Sequence, residues 1–270
     1  MRRPTFAAAL FCIASATASA QLFAQTSRAA QFMDDCRRNR GDNERFCETR
    51  NVTLAATSAI NVDGRDNGGI TVHGWDKPQI EIVAMIQAQA ETQSDAESMA
   101  KEILVTAQNG QVRANGPDRN RQRESWSVSY EVWAPRRTEL SLTAKNGGIS
   151  VDGVSSKMEL ETVNGGLNLR DVDGDVRGTT VNGGVTAELS GDRWAGSGLD
   201  LSTSNGGVHL IIPTNYSARL ETGTVNGGIN IDFPVTLQGS VGRRFSTQLG
   251  AGGAMIRAVT TNGGVSILRR

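Results

Sequence analysis

Apolar and polar residues alternate along most of this chain, and the alternation is punctuated by one tripeptide. Asn-Gly-Gly begins at Asn67, Asn146, Asn164, Asn182, Asn205, Asn226 and Asn262. Three and five residues after each Asn the chain is apolar, as in Ile149/Val151, Leu167/Leu169, Val208/Leu210 and Val265/Ile267. Two residues before the last six Asn stand Ala144, Thr162, Thr180, Thr203, Thr224 and Thr260. Further back the alternation continues, as in Met158-Glu159-Leu160-Glu161-Thr162. A period of two places alternate side chains on one buried face of a strand. Each repeat therefore predicts a strand, an Asn-Gly-Gly turn and a second strand. A further turn often follows, at Asp152-Gly153 or Asp173-Gly174. Glycine at such turns is expected to supply positive φ, and Asn to tolerate it.

From Asn146 the steps between motifs are 18, 18, 23, 21 and 36 residues. The last is twice eighteen, as if one turn had lost its Asn, with Ala251-Gly252-Gly253 as a degenerate copy. Two architectures fit. Asn-Gly could close antiparallel hairpins, or each repeat could be one rung of a parallel β-solenoid. The solenoid accounts for more, because rungs of about 18 residues would stack equivalent positions roughly 4.8 Å apart. Asn146, Asn164, Asn182, Asn205, Asn226 and Asn262 would form one ladder and the Thr residues another, each bonded along the stack.

Residues 51–137 are less regular. Val52–Val62, Ile80–Ile86, Val105–Ala114 and Trp126–Trp133 read as strands, with Asn109-Gly110 a turn inside the third. Ser94–Leu104 is the helix candidate. Its apolar stripe is Ala96, Met99, Ala100, Ile103 and Leu104, and Ser94 with Glu97 makes a candidate capping box. This front part is expected to cap the first rung of the stack, whose strand edge would otherwise be open.

Composition narrows the class. The 270 residues include 31 Gly, only 5% aromatics, and 28 basic against 28 acidic side chains. Neutral charge calls for neither nucleic acid nor an anionic membrane as partner. Arg2 and Arg3, the apolar run Ala7–Ala14 and the small residues Ala18-Ser19-Ala20 read as an export signal cleaved after Ala20. The run is too short to span a bilayer, and no later segment predicts a transmembrane helix. Export leaves Cys36 and Cys47, an even pair in an oxidising compartment, which predicts a disulfide.

Candidate chemistry is sparse. His73 and His209 lie on or beside strands without an evident catalytic partner. Outward positions Asp152, Glu159, Glu161, Arg170 and Arg177 are the candidates for a glycan-active β-helix enzyme, the alternative to a non-catalytic protein. Asp152 and Asp173 beside Gly-rich turns raise calcium, but Gly147-Gly148-Ile149-Ser150-Val151-Asp152 lacks the third glycine of nine-residue calcium repeats. Trp75, Trp126, Trp133 and Trp194 are scattered, which disfavours an aromatic sugar platform. No metal, cofactor or catalytic centre is expected.

The chain resembles the bacterial "putative adhesin" family, the DUF4097 domain family. The likeness rests on Ile70-Thr71-Val72-His73-Gly74-Trp75-Asp76, the helix candidate, Val132-Trp133-Ala134-Pro135 and Asn146-Gly147-Gly148-Ile149-Ser150-Val151-Asp152-Gly153, and spans residues 50–268. It departs in carrying Asn-Gly-Gly where many members have Asn-Gly-Asp. The resemblance implies an extracytoplasmic β-solenoid, with some relatives tied to envelope stress. The expectation is a signal peptide (1–20), a disulfide-bearing segment (21–50) and a mostly β domain with a front part (51–137) and a solenoid (138–270). The protein is expected in the periplasm or on the cell surface, binding an unknown envelope protein or polysaccharide.

Overall fold

The computed structural model describes residues 29–38, 43–118, 123–232 and 243–270. The signal expected at residues 1–20 lies outside the described residues. Helix α1 (residues 29–38) precedes strand β1 (Glu44–Ala55). Then come β2 (Ala59–Asp63), β3 (Ile70–Trp75), β4 (Gln79–Ala90), α2 (Gln93–Glu102), β5 (Leu104–Gln108), β6 (Gln111–Asn115) and β7 (Ser125–Pro135). Next the chain alternates long and short strands: β8 (Glu139–Asn146), β9 (Ile149–Asp152), β10 (Ser155–Asn164), β11 (Leu167–Arg170), β12 (Asp173–Asn182) and β13 (Val185–Glu188). The alternation continues through β14 (Gly198–Asn205), β15 (Val208–Ile212), β16 (Ala218–Asn226) and β17 (Ile229–Ile231). The last strands are β18 (Arg244–Leu249), β19 (Met255–Asn262) and β20 (Val265–Arg269).

Each repeat is a rung that gives its strand before the Asn-Gly-Gly corner to one ten-stranded sheet and its strand after the corner to another. Neighbouring rungs pair in parallel, Met158 beside Val176 and Leu167 beside Val185, so the hairpin alternative is excluded. Alternate residues point between the sheets. Leu142, Leu160 and Leu201 face Ile149, Leu167 and Leu210 in one continuous core, all nearly fully buried. Each such side chain stabilises the fold by about 2 kcal/mol through area removed from water.

The corners hold the rungs in register. The amide of Asn164 donates to Asn146 Oδ1 at 2.7 Å, Asn182 to Asn164 at 2.8 Å, and Asn205 to Asn182 at 2.9 Å. Asn146 reaches back to Asn67 at 3.0 Å, so the ladder includes a rung formed by β2 and β3, upstream of residue 138. The Thr residues do not bond to one another. Thr162, Thr180 and Thr203 instead donate to the carbonyls of Gly147, Gly165 and Gly183 on the preceding rung, at 2.7–2.8 Å. This arrangement satisfies a buried hydroxyl and a corner carbonyl together.

The first glycine of the motif is there for space; of the seven, only Gly263 also has positive φ. A Cβ on Gly165, Gly183 or Gly206 would lie 2.0–2.1 Å from the carbonyl oxygen of the preceding rung's equivalent glycine. At the second glycine the nearest backbone atom is farther, 3.1 Å at Gly166 and 3.5 Å at Gly184. A side chain there is tolerable, consistent with Asn-Gly-Asp in the related pattern. Positive φ belongs instead to the second turns, at Gly153 and Gly174.

Among the described residues the 36-residue step holds no further rung. The pair β19–β20 inserts between β14–β15 and β16–β17, so the stack runs Asn205, Asn262, Asn226. Asn262 donates to Asn205 at 2.8 Å and Asn226 to Asn262 at 2.7 Å. Strand β18 runs antiparallel along the far side of β16. Gly250, Gly252 and Gly253 have positive φ, and with Ala251 they connect β18 to β19 rather than forming a rung corner.

At the other end, β4, β7 and β1 extend one sheet and the β5–β6 hairpin extends the second. Helix α2 lies over this end through buried Ala96, Met99 and Ala100. It starts one residue earlier than the sequence pattern predicts. Thr92, not Ser94, is the cap: its Oγ1 accepts from Asp95 N at 3.1 Å and donates to Asp95 Oδ2 at 2.7 Å. Leu104 is 65% exposed and begins β5. The Arg50 guanidinium bonds the Ala100 and Ile103 carbonyls at the helix end.

Two substitutions separate the glycine roles. Gly183→Ala should lower the urea-unfolding free energy by more than about 2 kcal/mol, whereas Gly184→Ala should change it by less than about 0.5 kcal/mol. Equal effects would contradict the close-approach argument. Asn182→Ala removes two ladder bonds and should cost about 1–3 kcal/mol in the same assay; an unchanged midpoint would show that the ladder does not stabilise the stack.

Candidate functional site

The two outer faces differ. On the face formed by the sheet of short strands, β4 and β7 carry a few apolar residues outward as well as their apolar inward rows. Trp75, Val83, Met85 and Trp133 form a small cluster there, covered by Ala29 and Phe32 of α1. This second covering element explains why Ile80–Ile86 lacks alternation. Cys36 at the end of α1 is bonded to Cys47 on β1, with the Cα atoms 6.4 Å apart. Closing so short a loop stabilises by about 3 kcal/mol in the chain-entropy picture. No pattern in the sequence marked α1, because its one apolar side is satisfied only by a patch built from three distant strands.

Beside the covered patch, Glu131 is 3% exposed and His73 Nε2 lies 3.1 Å from its Oε1. The His73 ring stacks on Trp133 with centroids 5.3 Å apart. Strand register puts Asp152 next to His73 and Arg170 next to Asp152. Arg170 grips both carboxylate oxygens of Asp152, at 3.0 and 2.9 Å. That hydrogen bond, first among several causes, holds the Asp152 carboxyl below its ordinary range. His209 sits exposed on β15, away from this group.

Glu159, Glu161 and Arg177 lie on β10 and β12 and point outward from the sheet of long strands. They are therefore on the opposite side of the stack from Asp152 and Arg170, and the five residues do not converge. Trp126 and Trp194 are interior, donating to the carbonyls of Pro117 at 3.0 Å and Gly174 at 2.9 Å. Asp173 accepts from Ala195 N at 3.1 Å, and burial raises its carboxyl pKa. Among the described residues no three His, Cys, Asp or Glu gather as a metal centre. No described helix is long and apolar enough to cross a membrane.

The long-strand face carries an open groove of 610 Å³ between β12, β14, β19, β16 and the start of β18. Ser202, Ser204, Val225, Val259 and Thr261 line it, with Arg243, Arg244 and Arg257. Arg257 is held by Asp200 at 2.6 Å and Glu221 at 3.4 Å. This feature was not legible in the repeat, since β19 reaches it only through the inserted rung.

The fold of stacked rungs with an inserted front part agrees with the family profile described as Toastrack DUF4097, which matches residues 65–268. The chain belongs to this Toastrack DUF4097 family. Its fold is similar to the crystal structure of a putative cell adhesion protein from Clostridium sporogenes, at 12% identity and a TM-score of 0.52, covering 83% of this chain and 100% of that one. A putative adhesin from Bacteroides fragilis is also similar, at 9% identity and a TM-score of 0.39, covering 83% of this chain and 97% of that one. No curated protein matches the sequence.

Reducing the disulfide should free α1 from this Toastrack domain. Cys36→Ser with Cys47→Ser should shift tryptophan emission to the red as Trp75 and Trp133 meet water, and speed proteolysis within residues 29–38. Unchanged emission and cleavage would show that the apolar cluster alone holds the helix.

Proposed function

We propose that this chain is an exported, non-catalytic, adhesin-like interaction module of the bacterial envelope. Its rigid stack presents an outer sheet face to an envelope protein or polysaccharide. The observation that carries this reading is the groove on the long-strand face, a wide, open, hydroxyl- and guanidinium-lined surface on strands fixed in register. A rigid scaffold lowers the ordering cost of binding. Support for export comes from the signal-like start and from Cys36–Cys47, which fits an oxidising compartment. The adhesin names borne by similar structures agree with a binding role. A link to envelope stress rests on the family resemblance alone and forms part of the same proposal. The reading is tested by immobilising the purified chain and measuring saturable retention of separated envelope polysaccharide and envelope protein fractions. Retention of one fraction at micromolar concentration is expected; saturable binding to neither would overturn it.

A further inference from the structure

The groove has a charge pattern that selects its occupant. Outward residues of β16, β19 and β14 lie in rows across the strands: Glu221, Arg257, Asp200 in one row, Gly223, Val259, Ser202 in the next, and Val225, Thr261, Ser204 nearest the corner. The first row is internally paired, since Arg257 bonds both acids. The two arginines that enter from β18 and the residue before it are different. Arg243 and Arg244 are exposed, and neither makes an ion pair among the described residues. Register sets Arg244 opposite Gly223. With no side chain at 223, the Arg244 side chain packs against β16 there; a Cβ would lie 3.1 Å from Arg244 Cγ and 3.0 Å from the Arg243 carbonyl oxygen. The groove thus carries two exposed guanidiniums outside any such pair, with hydroxyls at Ser202, Ser204 and Thr261 and apolar surface at Val225 and Val259.

From this geometry we infer that the groove binds a carboxylate-bearing oligosaccharide. Guanidinium forks match carboxylates in a bidentate geometry and stay charged at every physiological pH. Strand hydroxyls suit sugar hydroxyls, and exposed Val225 with half-buried Val259 suits the apolar faces of pyranose rings. Successive strands repeat these groups about 4.8 Å apart along the stack axis, so a polymer lying along the axis meets them in sequence. The excess positive charge excludes cationic partners and disfavours neutral glycans. The inference rests on the interaction-module reading and specifies its ligand.

The test is calorimetric titration of the full chain, disulfide intact, with an oligogalacturonate, a neutral cello-oligosaccharide of the same length, and inorganic phosphate. The oligogalacturonate should bind saturably and more weakly as salt rises, while the other two should not bind at the same concentrations. Arg244→Glu combined with Arg243→Glu should weaken binding by about tenfold or more. Arg219→Glu paired with Arg177→Glu makes the same change of charge on the same sheet face, outside the groove lining, and should change binding by less than about twofold. Circular dichroism melting checks that each variant is folded. No binding of the oligogalacturonate, equal binding of the neutral sugar or of phosphate, or equal losses in the two double variants would overturn the inference. If the chain still retains envelope material in that case, the interaction-module reading stands and only the ligand class fails.

Discussion

Successive rungs come into close backbone contact at the first glycine of each corner, and the architecture depends on it. Gly165, Gly183 and Gly206 each bring their backbone so near the previous rung's glycine carbonyl that a single Cβ has no room. That approach lets the Thr hydroxyl two positions before Asn reach the same carbonyl, and lets each Asn amide reach its neighbour's oxygen. Backbone and side-chain polar groups at the corner thereby find partners along one axis, which is what an exposed edge of parallel strands requires. The apolar residues that follow inherit their register from the corner, because a slip of one residue would turn Leu167 and Leu169 out of the core.

Corner complementarity does not depend on chain order. Asn262 fits between Asn205 and Asn226 as well as Asn226 would fit directly on Asn205, since all three carry the same corner chemistry. The chain therefore lays down β16–β17, turns through β18, and returns to fill the gap with its last rung. The rung of Asn226 acquires its parallel neighbour only when the end of the chain arrives, a long-range closure of the kind that slows folding. The same insertion brings Arg257 beside Asp200 and Glu221 and delivers β18, with Arg244, to the groove rim. Topology and surface chemistry are thus coupled.

The two outer faces have separate fates. One is partly roofed by α1, which the disulfide ties to β1 over Trp75 and Trp133. The other is open, and its charges are balanced in some rows and unbalanced at the arginines of the rim. Charged residues spaced along the sequence, such as Asp152 and Glu159, lie on consecutive strands but fall on opposite faces, because the chain also crosses from one sheet to the other at the second turn, Gly153-Val154.

The local code was readable from residues alone. Alternation identified the strands, repeated Asn-Gly-Gly identified the corners, and recurrence of Thr at one offset favoured a stack over hairpins, because each is a property of a few neighbouring residues. The tertiary structure decided what those neighbours could not: the order of the last two rungs, the use of glycine for close approach rather than for positive φ, the docking of α1, and the groove. Each of these depends on which distant backbone comes within a few ångströms, and identical corners leave that choice to the packing of the whole chain.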